Sequence, residues 1–142
     1  LVPCDVHEAR KATLAAAAEP AQYQAAASWL KHNTPPKSIV FNTRFDEFPF
    51  LFFYNQHNYY VSGLDPTFTY LQNPSAYTEW RNIASDKVSD MNNTDVTDFL
   101  EKRFGVNWIF VDIERNPKLY GLLTSGTLPT YEDKNTAIFK IK

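Results

Sequence analysis

The sequence is poor in the residues that build cysteine-based and glycine-based sites, with one cysteine and four glycines among 142 residues. A disulfide needs two thiols and a cysteine zinc cluster needs several, so Cys4 alone forms neither within the chain. The glycines are isolated, and none belongs to a G-x-x-x-x-G-K or G-x-G-x-x-G pattern. Since both common phosphate-binding loops require these spacings, the sequence excludes them.

The sequence also lacks a block of basic residues and a long apolar run. It carries 14 Lys and Arg against 16 Asp and Glu, for a formal net charge of −2. A nucleic-acid partner normally requires a basic patch, so none is expected. No run reaches the ~20 apolar residues that a membrane span needs. The 44% of hydrophobic residues nevertheless suffices for a packed core, and the length fits one domain.

Residues 1–20 are predicted to form an N-terminal helix that is separate from the main domain. Asp5 and Glu8 have the spacing of a capping box, and an alanine-rich run follows them. Pro20 ends this helix and begins the next, in which Tyr23 and Leu30 belong to one apolar stripe. The predicted organisation is therefore a helix over 1–20 and a single α/β domain over 21–142.

Apolar strands alternate with helices through the rest of the chain. Short apolar segments at 38–42, 59–63 and 107–112 predict three buried strands. This alternation indicates an α/β fold, with a mainly parallel sheet of three strands and helices on both faces, a Rossmann-like three-layer arrangement. A C-terminal antiparallel hairpin over 128–141 is expected to close the sheet.

The aromatic segment Phe48–Tyr54 lies between the first two predicted strands and is read as a helix, because Pro49 suits a first helical turn. Its run of Phe and Leu residues predicts that the whole segment is buried in the core. The residues Asp65 and Pro66 end the second strand, and one or two further helices are predicted to follow over 66–71 and 75–84.

Polar residues follow each predicted parallel strand, where ligands of open α/β sheets bind. We expect them to share one rim and to bind sugar hydroxyls, bind a divalent cation or act as an acid–base pair. The alternative is that Asp46, Asp65 and Asp112 only cap helices and turns. The candidate ligand-binding residues are Asn42, Asp46, Glu47, Asp65, Asp112 and Arg115.

No motif in the sequence assigns a catalytic residue, a metal site or a cofactor. The three histidines lie in different predicted elements, and no pair has the i, i+4 spacing of a helical zinc site. The serines lack the G-x-S-x-G elbow of many hydrolases.

Three segments of the chain, supported by two others nearer the C-terminus, resemble a known family. From Tyr23 to Lys142 the chain is similar to the C-terminal soluble extracytoplasmic domain of bacterial multi-pass membrane proteins related to GT-C glycosyltransferases, of the dolichyl-phosphate-mannose protein mannosyltransferase type. The second and third segments are more specific than the first. The segments are Tyr23–Leu30 with Thr34-Pro35-Pro36, Asp46–Asn55, Gly63–Phe68, and then Phe104–Asp112 and Tyr131-Glu132-Asp133.

This resemblance implies a non-catalytic accessory domain on the extracytoplasmic, periplasmic side of a membrane. Its partner is then the parent transmembrane region, with residues 1–20 beside the membrane, and its expected ligand is a sugar or lipid-linked sugar. In such transferases the catalytic acidic residue lies in a loop between early membrane spans, so no catalytic residue is assigned here. Two alternatives remain: a free-standing carboxylate-dependent hydrolase or transferase, and a protein-interaction module with an aromatic patch of Tyr59, Tyr70 and Tyr77.

Overall fold

A computed structural model describes residues 21–63, 71 and 73–141. The predicted helix over 1–20, the residue Asp65 and most of the helix predicted over 66–71 lie outside the described residues. The described helices are α1 (residues 21–33), α2 (Phe48–Tyr54), α3 (Pro74–Ala84), α4 (Asn93–Phe104) and α5 (Pro117–Gly126). The described strands are β1 (Ile39–Phe41), β2 (Tyr59–Tyr60), β3 (Trp108–Asp112), β4 (Tyr131–Glu132) and β5 (Thr136–Lys140).

The strands form one mixed sheet in the order β2-β1-β3-β5-β4. The strand β1 pairs in parallel with β2 and β3, whereas β5 pairs antiparallel with β3 and β4. The predicted α/β class is confirmed, but the expectation of a mainly parallel sheet is wrong. The physical reason is that β5 pairs with all five residues of β3, from Trp108 opposite Lys140 to Asp112 opposite Thr136, so the hairpin supplies the antiparallel half.

Helices pack on both faces of this sheet. All five residues of β3 are buried, and successive side chains of a strand point to opposite faces. Ile109 and Val111 belong to a core cluster with residues of α3, α4 and α5. Trp108 and Phe110 belong to a second cluster with residues of α1 and α2. Because helices pack against both faces of the sheet in these two clusters, the carboxyl ends of the parallel strands are held in fixed positions relative to one another.

The prediction that Phe48–Tyr54 is buried throughout is wrong. Within α2 only Leu51 is buried, while the side chains of Phe52 and Phe53 are 43% and 75% exposed. A helix on a sheet presents only one stripe of its surface to the core, so an apolar helix of seven residues cannot bury every side chain. Phe48 stacks on Phe52 at a centroid distance of 5.3 Å, which covers part of that exposed ring.

Asp86 fixes the beginning of α5 from a distant loop. Its carboxylate accepts hydrogen bonds from the backbone N–H groups of Lys118, at 3.1 Å, and Leu119, at 2.7 Å. The residue has a φ of 60°, a left-handed conformation that Asp adopts more readily than most residues with a side chain. Asp86 takes the place of an N-terminal cap for α5.

We expect Asp86→Ala to lower the free energy of unfolding by about 1–2 kcal/mol, because it removes the acceptor for two helical N–H groups. Chemical denaturation measures this change. The matched control is Asp90→Ala, since Asp90 is exposed in the same loop. Equal stabilities of the two variants would contradict the capping role of Asp86.

Candidate functional site

Asn42 joins the carboxyl ends of β1 and β2. Its side-chain Nδ2 donates to the carbonyls of Arg44, at 2.8 Å, and Ser62, at 2.9 Å, and its Oδ1 accepts from the N–H of Ser62, at 3.0 Å. The residue is fully buried. The structure thus places Asn42 at the predicted rim. Its side-chain amide, however, is hydrogen-bonded to the backbone that follows β2 and does not face solvent.

Asp112 ties the end of β3 to helix α1. One carboxylate oxygen accepts from the N–H groups of Glu114 and Arg115, both at 3.1 Å. The other accepts from the Tyr23 hydroxyl at 2.6 Å and from the Gln22 amide at 3.3 Å. Asp112 is 1% exposed, and its bonds to backbone N–H groups fit the alternative in which it stabilises a turn. Burial, followed by the hydrogen bond to Asp112, raises the pKa of Tyr23 above its ordinary value.

Glu47 is a buried carboxyl group near Asp112. Its side chain is fully buried, its Oε2 accepts from the N–H of Arg44 at 3.0 Å, and both oxygens contact the Thr43 hydroxyl, at 3.0 and 3.2 Å. Burial raises the pKa of Glu47 to about 7, and the charge of Asp112 adds to the rise, although the hydrogen bond from the Arg44 N–H opposes it.

The hydrogen-bond geometry independently favours a neutral Glu47. The Asn116 side chain donates through Nδ2 to the carbonyl of Ala84 at 3.0 Å, so its Oδ1 faces the Thr43 hydroxyl at 3.0 Å. Because an amide oxygen only accepts, the single hydroxyl proton of Thr43 goes to Asn116. The contact between Thr43 and Glu47 is then satisfied when a protonated Glu47 donates to the Thr43 oxygen.

Asp46 lies at the surface between two arginines. Its carboxylate forms a two-point ion pair with Arg44, with Nε–Oδ1 and Nη2–Oδ2 distances of 2.8 Å. It also meets Nη1 of Arg115 at 3.3 Å. The Arg44 guanidinium lowers the pKa of Asp46 below its usual range. The N-terminus of α2 has no side-chain cap, so the capping alternative is wrong for Asp46.

The structure therefore brings five of the six candidate residues to the same end of the sheet, and Asp65 lies outside the described residues. Three of the five are buried: Asn42, Glu47 and Asp112. Asp46 and Arg115 reach solvent, with side chains 39% and 32% exposed. Only these two can touch a ligand without rearrangement of the protein.

Sequence reasoning missed the contribution of α1 to this site. Tyr23 was assigned to the apolar stripe of a helix, but its hydroxyl binds Asp112, and Gln22 beside it binds the same oxygen. A signal was present, because a buried tyrosine hydroxyl normally finds a polar partner. The sequence does not show which residue that partner is.

Two adjacent cavities open at this end of the sheet, and Phe45 and Arg115 line both. The first, here named the Asp46 cavity, has a volume of about 440 Å³. The second, here named the Arg81 cavity, has a volume of about 420 Å³. The Asp46 cavity is also lined by Gln22, Tyr23, Asp46 and Phe50. The Arg81 cavity is also lined by Thr43, Arg44, Tyr77, Trp80, Arg81 and Ser85.

Comparison with known proteins gives no match from which a function could be inferred, so the function is inferred from the geometry of the site. No family model matches the chain, and neither a curated protein nor a solved structure matches it.

Within the described residues, no cluster of three or more His, Cys, Asp or Glu side chains is placed to hold a metal ion. In the same part of the chain, no helix combines the length and apolar character that crossing a membrane requires.

Proposed function

We propose that this chain is a non-catalytic extracytoplasmic accessory domain of a glycosyltransferase-like integral membrane protein, and that its Asp46 cavity binds a sugar. The membrane location and the parent transmembrane partner are supported by the resemblance of the segments around Trp29, Phe48 and Gly63. The sugar-binding role is supported by the lining of the cavity. That lining combines aromatic surface with a small number of exposed polar groups.

The chemistry of the Asp46 cavity matches the two kinds of surface on a sugar ring. The rings of Phe45 and Phe50 offer flat apolar faces for the C–H side of a sugar. The carboxylate of Asp46 accepts hydrogen bonds from hydroxyls, while Gln22 and Arg115 supply donors. A concave site with apolar walls and few polar groups is the usual form of a small-molecule site.

The burial of the other carboxyl groups supports binding over catalysis. Glu47 and Asp112 are 0% and 1% exposed, and both carboxyl groups are engaged in hydrogen bonds within the protein. A general acid or base has to come within about 2.6–3.2 Å of the proton it transfers. Among the described residues that line the cavity, Asp46 is the single carboxylate. The hydrolase alternative therefore lacks an accessible pair of carboxyl groups in this part of the chain.

The protein-interaction alternative is supported less well. Tyr59 on β2 is 56% exposed, but Tyr77 lines the Arg81 cavity, with its ring 5.5 Å from that of Trp80. Tyr70 lies outside the described residues. The aromatic residues named for a shared patch thus give weaker support than the lining of the Asp46 cavity.

Calorimetric titration of the purified chain with methyl α-D-mannoside tests the sugar-binding role. We expect binding with a dissociation constant of about 1 mM, which corresponds to about −4 kcal/mol. Asp46→Asn is expected to weaken it about tenfold, because a neutral amide is a poorer acceptor for hydroxyls. Asp98→Ala is the control, since Asp98 pairs with Lys102 on α4 and does not line the cavity.

Two results would reject this function. One is the lack of any heat of binding with mannoside, glucoside and galactoside at about 50 mM, which lies far above the expected constant. The other is equal affinity of the Asp46→Asn and Asp98→Ala variants. The membrane location has its own test, since the complete reading frame is expected to encode hydrophobic spans before this domain.

A further inference from the structure

We propose that the Arg81 cavity binds a phosphate monoester, at a site distinct from the sugar-binding cavity. Three guanidinium groups line this cavity, from Arg44, Arg81 and Arg115. They come from three separate elements: the loop after β1, the helix α3 and the loop after β3. A guanidinium presents a planar set of donors that matches two phosphate oxygens, so a group of three is suited to a doubly charged phosphate.

The charge of this cavity is opposite in sign to that of the whole chain. The formal net charge of the sequence is −2, yet the described residues that line the Arg81 cavity include three arginines and no acidic side chain. Two carboxylates outside the lining offset part of this charge, since Asp46 pairs with Arg44 and Arg115, and Asp112 lies 3.8 Å from Nε of Arg115. The third guanidinium, of Arg81, leaves a net positive charge at the cavity, where an anion can reach it.

Asp46 orients two of the arginines, and it leaves one donor group of Arg44 unused. The carboxylate of Asp46 accepts hydrogen bonds from Nε and Nη2 of Arg44 and from Nη1 of Arg115. Within the described residues no acceptor is bonded to Nη1 of Arg44, and none meets the side chain of Arg81. A guanidinium held in place by a neighbouring carboxylate loses less conformational freedom when it binds a ligand.

An independent observation concerns the wall of the same cavity. Trp80 lines it and is 7% exposed, and the indole Nε1–H of Trp80 is buried with no hydrogen-bond partner among the described residues. The indole group is a donor only, and a buried donor normally has an acceptor. A phosphate oxygen is an acceptor of the kind that this group lacks.

The aromatic lining narrows the class of ligand. The rings of Phe45, Tyr77 and Trp80 border the cavity, and Phe45 is 51% exposed. A bare phosphate ion uses only the guanidinium donors. An ester that carries an apolar or planar group also covers the aromatic surface, so such esters are expected to bind more tightly.

The experiment titrates the full chain, at low ionic strength, with phenyl phosphate, glucose 6-phosphate and inorganic phosphate. Calorimetry gives the affinities, and the tryptophan fluorescence, to which Trp80 contributes together with Trp29 and Trp108, reports on the wall of the cavity. Phenyl phosphate is expected to bind most tightly, and Arg81→Gln to weaken its binding about tenfold. The control is Arg103→Gln, because Arg103 is exposed in the last turn of α4 and lies outside the cavity lining.

Arg81 also separates this proposal from the sugar-binding function, since it lines only the Arg81 cavity. The Arg81→Gln variant is expected to bind methyl α-D-mannoside as the parent chain does. Equal losses of phosphate affinity in Arg81→Gln and Arg103→Gln would indicate general charge attraction and overturn the proposal. A lack of binding by all three phosphates would overturn it as well, whatever the result with sugars.

Discussion

Replacement of Glu47 by Gln is expected to remove a large part of the pH dependence of stability between about pH 4.5 and 7. In the unfolded chain Glu47 loses its proton near pH 4.5, whereas the buried group in the folded state keeps it up to about pH 7. The unfolded state therefore binds fewer protons across this interval, and a rise in pH favours unfolding. The stabilisation is fully present below the lower pKa and is lost as pH rises through the higher one.

The expected size of this loss is about 3 kcal/mol, since each pKa unit corresponds to about 1.36 kcal/mol. The glutamine side chain imitates the neutral acid, because its amide donates to Thr43 and its carbonyl accepts from the N–H of Arg44. The Glu47→Gln variant is therefore expected to match the parent chain near pH 4.5 and to exceed its stability at pH 8. Urea denaturation at both pH values measures the difference.

Glu79→Gln is the matched control for this prediction. Glu79 is exposed on α3, so its replacement is expected to leave the pH dependence of stability unchanged. A Glu47→Gln variant that is less stable than the parent chain at pH 8 would mean that folding favours the ionised form of Glu47 and lowers its pKa. The proton assignment among Glu47, Thr43 and Asn116 would then be wrong.

Removal of the Asp112 carboxylate is expected to produce the largest loss of stability. Asp112→Ala leaves the buried Tyr23 hydroxyl and the partly buried N–H groups of Glu114 and Arg115 without their acceptor. Each unsatisfied buried donor costs about 1–3 kcal/mol. We therefore expect the free energy of unfolding to fall by about 4 kcal/mol, measured by chemical denaturation.

Asp112→Asn provides the comparison that separates these contacts. The Oδ1 of the new amide keeps the bonds to the N–H groups of Glu114 and Arg115, while its Nδ2 faces the Tyr23 hydroxyl, which also accepts. The expected loss is about 1–2 kcal/mol, smaller than that of the alanine variant. Equal losses in the two variants would show that the turn bonds contribute little and that the attachment of α1 dominates.

The sequence predicts the class of the fold and the position of the site for clear physical reasons. Short apolar segments at 38–42, 59–63 and 107–112, separated by helical segments, indicate an α/β sheet, and parallel strands end on the same side. This reasoning brought Asp46 and Asp112 to one end of the sheet. It also predicted an antiparallel hairpin at the C-terminus, but not that β5 pairs with β3 along its whole length, because that position depends on pairing across the sheet.

The exposure and the hydrogen-bond partners of each candidate residue could not be predicted from the neighbouring sequence. Asp46 follows β1 and Asp112 is the last residue of β3, yet Asp46 is paired with arginines at the surface and Asp112 is buried. The difference arises from Tyr23, which is 89 positions from Asp112 in the chain. Trp80 and Arg81 belong to a helix with no motif, so nothing in the sequence connected them with Arg44. The likeness to membrane glycosyltransferase domains stays a prediction.

The lengths of the outermost strands have a consequence for self-association. The strands β2 and β4 end the sheet on its two sides, and each has two residues. Unpaired N–H and C=O groups along such strands are the template on which sheets of neighbouring molecules join and aggregate. Strands this short offer little backbone for that kind of pairing, so the protein gains resistance to cross-β stacking even at high local density.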